Sequence, residues 1–255
     1  MSNNVIYEER ACLFLDILGF SEHVRQSTDK NNLEVTSKAR EISELLNLLP
    51  IKMRSIGESN RNRRITQFSD SIVVSFALSD KNAFVELLDD IMRIIINFIL
   101  KGYLVRGGIS YGKLFHNDNL VFGPAMITAY ELESRIAIYP RVIFDKELVD
   151  TLIQNGDTDL KSLLLNDVES SYFWKEDFDG KYYLNFFKGS EFYMDEHEYY
   201  RTFLRELRIF ITKALKNRSS QTVRTKYGWL RTKYNELIDN LKEKSSYYDI
   251  PRKIA

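Results

Sequence analysis

The chain has 255 residues with 36 basic and 36 acidic side chains, so its formal charge at neutral pH is zero and no global basic field draws it to nucleic acid or an anionic membrane. Its length fits one large domain or a domain with an appendage, and 44% hydrophobic against 28% charged residues supplies a sizeable core, which excludes a disordered or collagen-like chain. Cys12 is the single cysteine, so an intrachain disulfide and a cysteine-rich zinc cluster are excluded, and its place in an apolar run makes it inert core. Residues 1–10 are polar and lack the charged-then-apolar order of a secretory signal. The longest apolar run, 91–100, is broken by Arg93 and Asn97 and is too short to span a bilayer, so the expectation is a soluble, cytoplasmic protein without membrane contact.

Residues 11–15 (ACLFL) read as a buried strand that ends at Asp16. Gly19 allows a sharp turn, and Ser21 can begin a short helix over 22–27. A helix over 33–49 carries Leu45, Leu46 and Leu49 at helical spacing, and Pro50 is expected to stop it. The polar, basic stretch 55–64 reads as a loop. Residues 65–67, the turn 68–71 and the β-branched run 72–76 make a hairpin with Asp70 at its tip. Ser79 and Asp80 can cap a helix running to Lys101. The next strand, 104–111, carries Gly107 and Gly108 where something must approach the backbone, and Gly112 with 116–119 suggests a second hairpin. Gly123 and Pro124 open a helix reaching Tyr139, Pro140 ends it, and 141–144 returns as a strand.

Strands interleaved with helices and joined by hairpins predict an α+β domain over 1–155, with a mixed, mainly antiparallel sheet and helices packed on it. An aromatic-rich segment, 156–190, places a hairpin turn at Asp179 and Gly180. Residues 191–255 read as a C-terminal helical extension of two long helices separated near 217–220.

Two carboxylates at strand ends are the main chemical signal. If their strands are neighbours, Asp16 and Asp70 point into one cleft, a suitable cage for hard cations such as Mg²⁺. Two such ions, bridged by two aspartates and a triphosphate, can polarise an attacking oxygen and stabilise a leaving one. The turn from Ile17 through Gly19 to Phe20 leads into a helix whose free N–H groups can hold phosphate oxygens, and Arg106 can neutralise a polyphosphate. The plainer readings are that strand-end aspartates cap turns and that Arg106 is a surface charge. His23, His116 and His197 lie on separate elements without ligand-like spacing and read as solvated or structural. Arg54, Arg61, Arg63 and Arg64 read as a solvated loop and not as a nucleic-acid site. No nucleophile elbow, phosphate-loop lysine or dinucleotide fingerprint is present in the sequence.

Phe14-Leu15-Asp16-Ile17-Leu18-Gly19-Phe20-Ser21 resembles the F-x-D-I-x-G-F-S/T motif of class III nucleotidyl cyclases. Phe68-Ser69-Asp70-Ser71 resembles their second metal motif, with Ser-Asp in place of Gly-Asp. Val105-Arg106-Gly107-Gly108-Ile109 with Gly112 matches R-x-G-I-x-x-G, and residues 123–134 (GPAMITAYELES) follow the outline of G-x-x-V-N-x-A-A-R-L-x-S. The resemblance implies the ferredoxin-like class III cyclase fold and two divalent cations, Mn²⁺ or Mg²⁺, held by Asp16, Asp70 and the Ile17 carbonyl. It also implies a head-to-tail homodimer with composite sites, and attack of a ribose 3′-oxygen on the α-phosphate with expulsion of pyrophosphate.

The departures bear on substrate. The family's purine-reading lysine or glutamate falls on Thr66, and its partner falls on Leu120. The family's asparagine and transition-state arginine fall on Ile127 and Glu131. Arg135, one turn beyond Glu131, either projects toward the α-phosphate or forms a surface ion pair with it. This pattern resembles the pyrimidine nucleotide cyclases of Pycsar anti-phage defence, whose cyclic UMP or cyclic CMP activates a separate effector. The expectation is a uridylate cyclase acting on UTP. The alternatives are a cytidylate cyclase acting on CTP and a catalytically dead nucleotide-sensing dimerisation module.

Overall fold

The computed structural model describes residues 6–53, 63–77, 81–155, 174–193, 197–216, 220–243 and 250–255. Most of the basic loop, the Ser79–Asp80 cap, part of the aromatic segment and the break between the last helices lie outside the described residues. The first strand, β1 (Glu8–Leu18), runs past its apolar core at both ends because it pairs antiparallel on both sides. Its neighbours are β3 (Ser71–Phe76), which forms a hairpin with β2 (Arg64–Phe68), and the long β4 (Leu104–His116). Beyond β4 come β6 (Val142–Phe144), β8 (Tyr182–Leu184) and β7 (Trp174–Glu176), while the short β5 (Val121–Phe122) pairs with β4. Among the described strands only β4 and β6 pair in parallel, so the sheet is mixed and mainly antiparallel, as the hairpins in the sequence predict.

Strand alternation sorts β1 between two faces. Ala11, Leu13, Leu15 and Ile17 enter the main core, with residues of α2 (Thr36–Met53) and α3 (Lys81–Leu100). Cys12 faces a small second cluster with Val73, Leu114, Ala125 and Ala129, the last two from α4 (Pro124–Glu131). Asp16 has the parity of Cys12 and Phe14, so it belongs to the thinly covered face. Burial pushes the Cys12 thiol up to about 12, consistent with inert core.

Besides the longer β1 and β4, three differences from the sequence reading have a local physical cause. Gly19, with φ 77°, and not Ser21, caps α1 (Phe20–Arg25). The helix α2 continues to Met53 through Pro50. A proline leaves the carbonyl four residues earlier without its N–H partner, and here Gln67 Nε2 donates to the Leu46 carbonyl at 3.1 Å, so the helix persists. The helix expected to reach Tyr139 gives way at Leu132–Ile136 to a π turn, in which the Ala137 N–H bonds the Leu132 carbonyl at 2.7 Å. This segment lies hard against β4. A Cβ on Gly108 would stand 2.5 Å from the Ala129 carbonyl oxygen and from Leu132 Cβ, so only glycine permits the approach.

The helix α5 (Lys146–Asn155) has no counterpart among the elements predicted from the sequence. The tail is continuous with the sheet, because Tyr183 of β8 pairs with Ile143 of β6. Three more helices follow: α6 (Phe186–Tyr193), α7 (His197–Lys216) and α8 (Gln221–Glu243). Phe186, Phe203, Leu207, Trp229 and Leu230 share the main core with β1, so the tail helices complete the domain's hydrophobic interior. Asp177, between β7 and β8, pins this junction. It accepts hydrogen bonds from the fully buried Arg141 and from Trp229 Nε1 (2.8 Å), and pairs with Lys233 Nζ at 2.9 Å. No helix among the described residues is long and apolar enough to cross a membrane.

Candidate active site

The site forms where β1 ends beside the β2–β3 turn. Leu15 pairs with Ile72, so Asp16 comes opposite Ser71, whose hydroxyl donates to Asp16 Oδ1 at 3.0 Å. Ser69 adopts a left-handed φ of 54° in the turn, which carries Asp70 back toward β1. Burial, then the charge of Asp70, pushes the Asp16 carboxyl well above the usual carboxylate range, against the opposing effects of Ser71 and Arg106. Asp70 also acts on it as a hydrogen-bond partner, so the two carboxylates predicted from strand ends stand together.

Across β1, Arg106 of β4 is the ladder partner of Asp16. Its guanidinium Nε forms an ion pair with Glu133 of the π turn, a side chain only 3% exposed. Burial pushes the Glu133 carboxyl up to about 7; Arg106 opposes the shift, while Asp16 and Asp70 add to it. Arg106 is therefore already paired with a carboxyl group that sequence reasoning missed. Arg135 is not brought to the aspartates: it pairs with Glu131 at 2.8 Å and its side chain is 73% exposed. Lys226 of α8, also unforeseen, is half-buried among the charges of Arg106, Asp16 and Glu133. Burial and Arg106 lower its pKa, while the two carboxylates oppose the shift.

Ile17 lies in the ladder opposite Val105, and Phe20 is buried at the start of α1. Gly19 caps α1 without a side-chain hydrogen bond. Thr66 is on β2, four residues before Asp70. Its Oγ1 is 3.0 Å from His116 Nε2, and His116 Nδ1 is 2.8 Å from Ser75 Oγ, which accepts from Arg10 Nε at 2.9 Å. Leu120 lies in the exposed β4–β5 turn, closed by a hydrogen bond from its N–H to Asn117 Oδ1 at 2.8 Å. Of the four arginines of the basic loop, Arg63 pairs with Asp90 at 2.6 Å and Arg64 with Glu8 at 3.2 Å. Arg54 and Arg61 lie outside the described residues.

His116 is structural, within the solvated-or-structural expectation for the three histidines, and it carries a pH signature. Burial, with Arg10 and Arg64, holds its pKa down at about 4 from an ordinary 6.5. Between those values the unfolded chain binds the proton and the folded chain does not. Stability from this group is therefore complete above the ordinary value and falls as pH drops toward the folded one. Asp16 and Glu133, both raised, act in the opposite sense, so the test is a comparison of variants. Between about pH 7.5 and 4.5 the urea midpoint of the parent should fall more than that of His116→Gln; equal falls contradict the assignment.

The acidic pair suits hard cations of the Mg²⁺ class. Two adjacent carboxylates, one destabilised as an anion by burial and by the other, gain from a divalent charge between them. Among the described residues there is no group of three or more Asp, Glu, His or Cys side chains that could hold a metal ion.

No known protein family and no curated protein matches the chain. Among solved structures, the chain is similar to a bacterial light-regulated adenylyl cyclase, at 15% identity and TM-score 0.45, covering 71% of this chain and 92% of that one. It is also similar to the guanylyl cyclase domain of the RhoGC fusion protein from the aquatic fungus Blastocladiella emersonii, at 14% identity and TM-score 0.46, covering 70% and 95%. A third similar structure is the adenylyl cyclase CyaB from P. aeruginosa, at 16% identity and TM-score 0.41, covering 59% and 83%. These are loose likenesses, and the functional reading rests on this chain's own residues.

Proposed function

We propose that this chain is a nucleotidyl cyclase that converts UTP to 3′,5′-cyclic UMP and pyrophosphate. The observation that carries this reading is the pairing of Asp16 and Asp70, from two chain segments, at one end of the sheet. Asp16 and Asp70, with the Ile17 carbonyl, would hold two divalent cations, Mn²⁺ or Mg²⁺, which would supply polarisation of the attacking 3′-oxygen and charge stabilisation of the leaving pyrophosphate. Ser71 orients Asp16 through its hydrogen bond, and the Arg106–Glu133 pair fixes the wall of the site opposite the β2–β3 turn. Amides of Ile17, Gly19 and Phe20 receive phosphate oxygens.

Support for a pyrimidine comes from the base-reading positions. Thr66 and Leu120 offer a hydroxyl and an apolar side chain, and the hydroxyl is held by a ring that burial keeps neutral. No lysine or carboxylate stands at either position to read a purine edge. Cytidylate cyclase is the nearest alternative, because a hydroxyl both donates and accepts. The site would be completed by a second copy in a cytoplasmic homodimer, and the cyclic product would act on a separate effector in anti-phage defence. A dead nucleotide-sensing module is favoured only by Ile127 and Glu131, where cyclases carry asparagine and arginine, and by the pairing of Arg135 with Glu131.

Incubation with UTP, CTP, ATP and GTP in turn, with Mn²⁺ and mass-spectrometric detection, tests the specificity. Cyclic UMP should dominate. A cyclic purine would refute the reading of Thr66 and Leu120, and cyclic CMP alone would move the assignment to cytidylate cyclase.

A further inference from the structure

We infer that α8 supplies a phosphate-binding cation to the site of its own protomer, and that Lys226 is this residue. The inference rests on the cyclase reading for the identity of the anion, a triphosphate, but its geometry stands apart from it. Position 226 shares a helix face with Trp229, Leu230 and Lys233, one and two turns on, and this face is buried against the domain. Trp229 stacks on Tyr139 with ring centroids 5.7 Å apart and planes 13° apart. Tyr139 leads into β6, and the Arg141 carbonyl accepts from the Gly107 N–H at 3.1 Å, one residue beyond Arg106. The stack and the β4–β6 pairing therefore bring this part of α8 to the end of the sheet that carries Asp16.

The charges there leave a role open. Arg106 is paired with Glu133, and Arg135 is held at the surface by Glu131. Among the described residues Lys226 makes no ion pair, although Asp16, Glu133 and Arg106 are the charges that act on it. A half-buried ammonium beside paired carboxylates, without a partner of its own, has donors to give to an arriving anion. A triphosphate carried on cations held by Asp16 and Asp70 would bring that anion, with phosphate oxygens left for the lysine to bind. Lys226 comes from a segment outside the four cyclase-like motifs and acts within one chain, so a second copy is not needed to provide this charge.

The test uses the full chain and inorganic triphosphate with Mn²⁺, followed by calorimetry at fixed pH. The parent should bind the probe, Lys226→Ala should bind it about ten- to a hundredfold more weakly, and Lys226→Arg should restore most of the affinity. Equal binding by the parent and Lys226→Ala overturns the inference. So does a loss that Lys226→Arg fails to recover, because it would show a packing role instead of a charge. Thermal unfolding followed by tryptophan fluorescence checks that the stack of Trp229 survives in each variant. Product assays separate this inference from the cyclase reading: Lys226-dependent binding without any cyclic product sinks the cyclase reading alone. Cyclic product formed equally by the parent and Lys226→Ala sinks the lysine alone.

Discussion

Asp16→Asn and Asp70→Asn should each abolish cyclic nucleotide formation, by about a thousandfold or more, while the unfolding midpoint stays level or rises. The first half follows from the proposed role of each carboxylate in holding cations, which would supply several kcal/mol of transition-state charge stabilisation at ~1.4 kcal/mol for each tenfold in rate. The second half follows from the site's own electrostatics. Asp16 is held above the usual carboxylate range by burial and by Asp70, so its ionised form opposes folding at neutral pH. An amide at position 16 removes that opposition, and its oxygen still accepts from Ser71. Structural carboxylates behave the other way, since they cost stability when removed. Calorimetric unfolding beside a product assay distinguishes the cases; turnover retained in both variants, or unfolding of both, contradicts the two-carboxylate site.

The second large effect lies at the junction of tail and sheet. Asp177 is the common acceptor for Arg141, Trp229 and Lys233, and the side chains of Arg141 and Asp177 are both fully buried. Asp179 also pairs with Arg141, but it is part-exposed and does not reach Lys233 among the described contacts. Asp177→Ala leaves a buried guanidinium short of one partner and a buried ammonium with the longer ion pair to Glu236 at 3.5 Å and its contacts to the Tyr183 and Trp229 rings. Breaking a buried pair from one side costs about 3–5 kcal/mol, which for a chain of this size lowers the midpoint by about 10 °C. Scanning calorimetry checks it; a shift below about 2 °C would show that the junction contributes little. Because Trp229 belongs to the same node, loosening it should also displace α8 from the site.

Local chemistry was legible in the sequence, and long-range chemistry was not. Asp16 and Asp70 are each placed by a few neighbouring residues: an apolar run that ends in a carboxylate, and a turn between two short strands. Their meeting depends on β1 pairing with β3, the second strand of the hairpin, while β2, which follows β1 in the chain, lies at the sheet edge. Pro50 misled because the bond that replaces its missing N–H comes from Gln67, on a strand 17 positions away (67 − 50). The π turn has no sequence signal of its own, and it forms where Gly108 lets the helix settle on β4. Glu133 sits at an unspecified position of the cyclase-like helix motif, and a helix surface is its ordinary reading. Lys226 is one cation among 36 basic residues, on a helix whose periodicity reports only its buried face. Its place beside Asp16 follows from the stacking of Trp229 on Tyr139, a contact that spans 90 positions (229 − 139).

The measurement that tests the central claim most directly is a single incubation of the protein with UTP and Mn²⁺, with pyrophosphate and nucleotide product quantified together. Equal amounts of pyrophosphate and 3′,5′-cyclic UMP, absent when Asp70→Asn replaces the parent, are what the paired carboxylates predict. Linear UMP with pyrophosphate, or UDP with phosphate, would make the site a hydrolase and contradict the account.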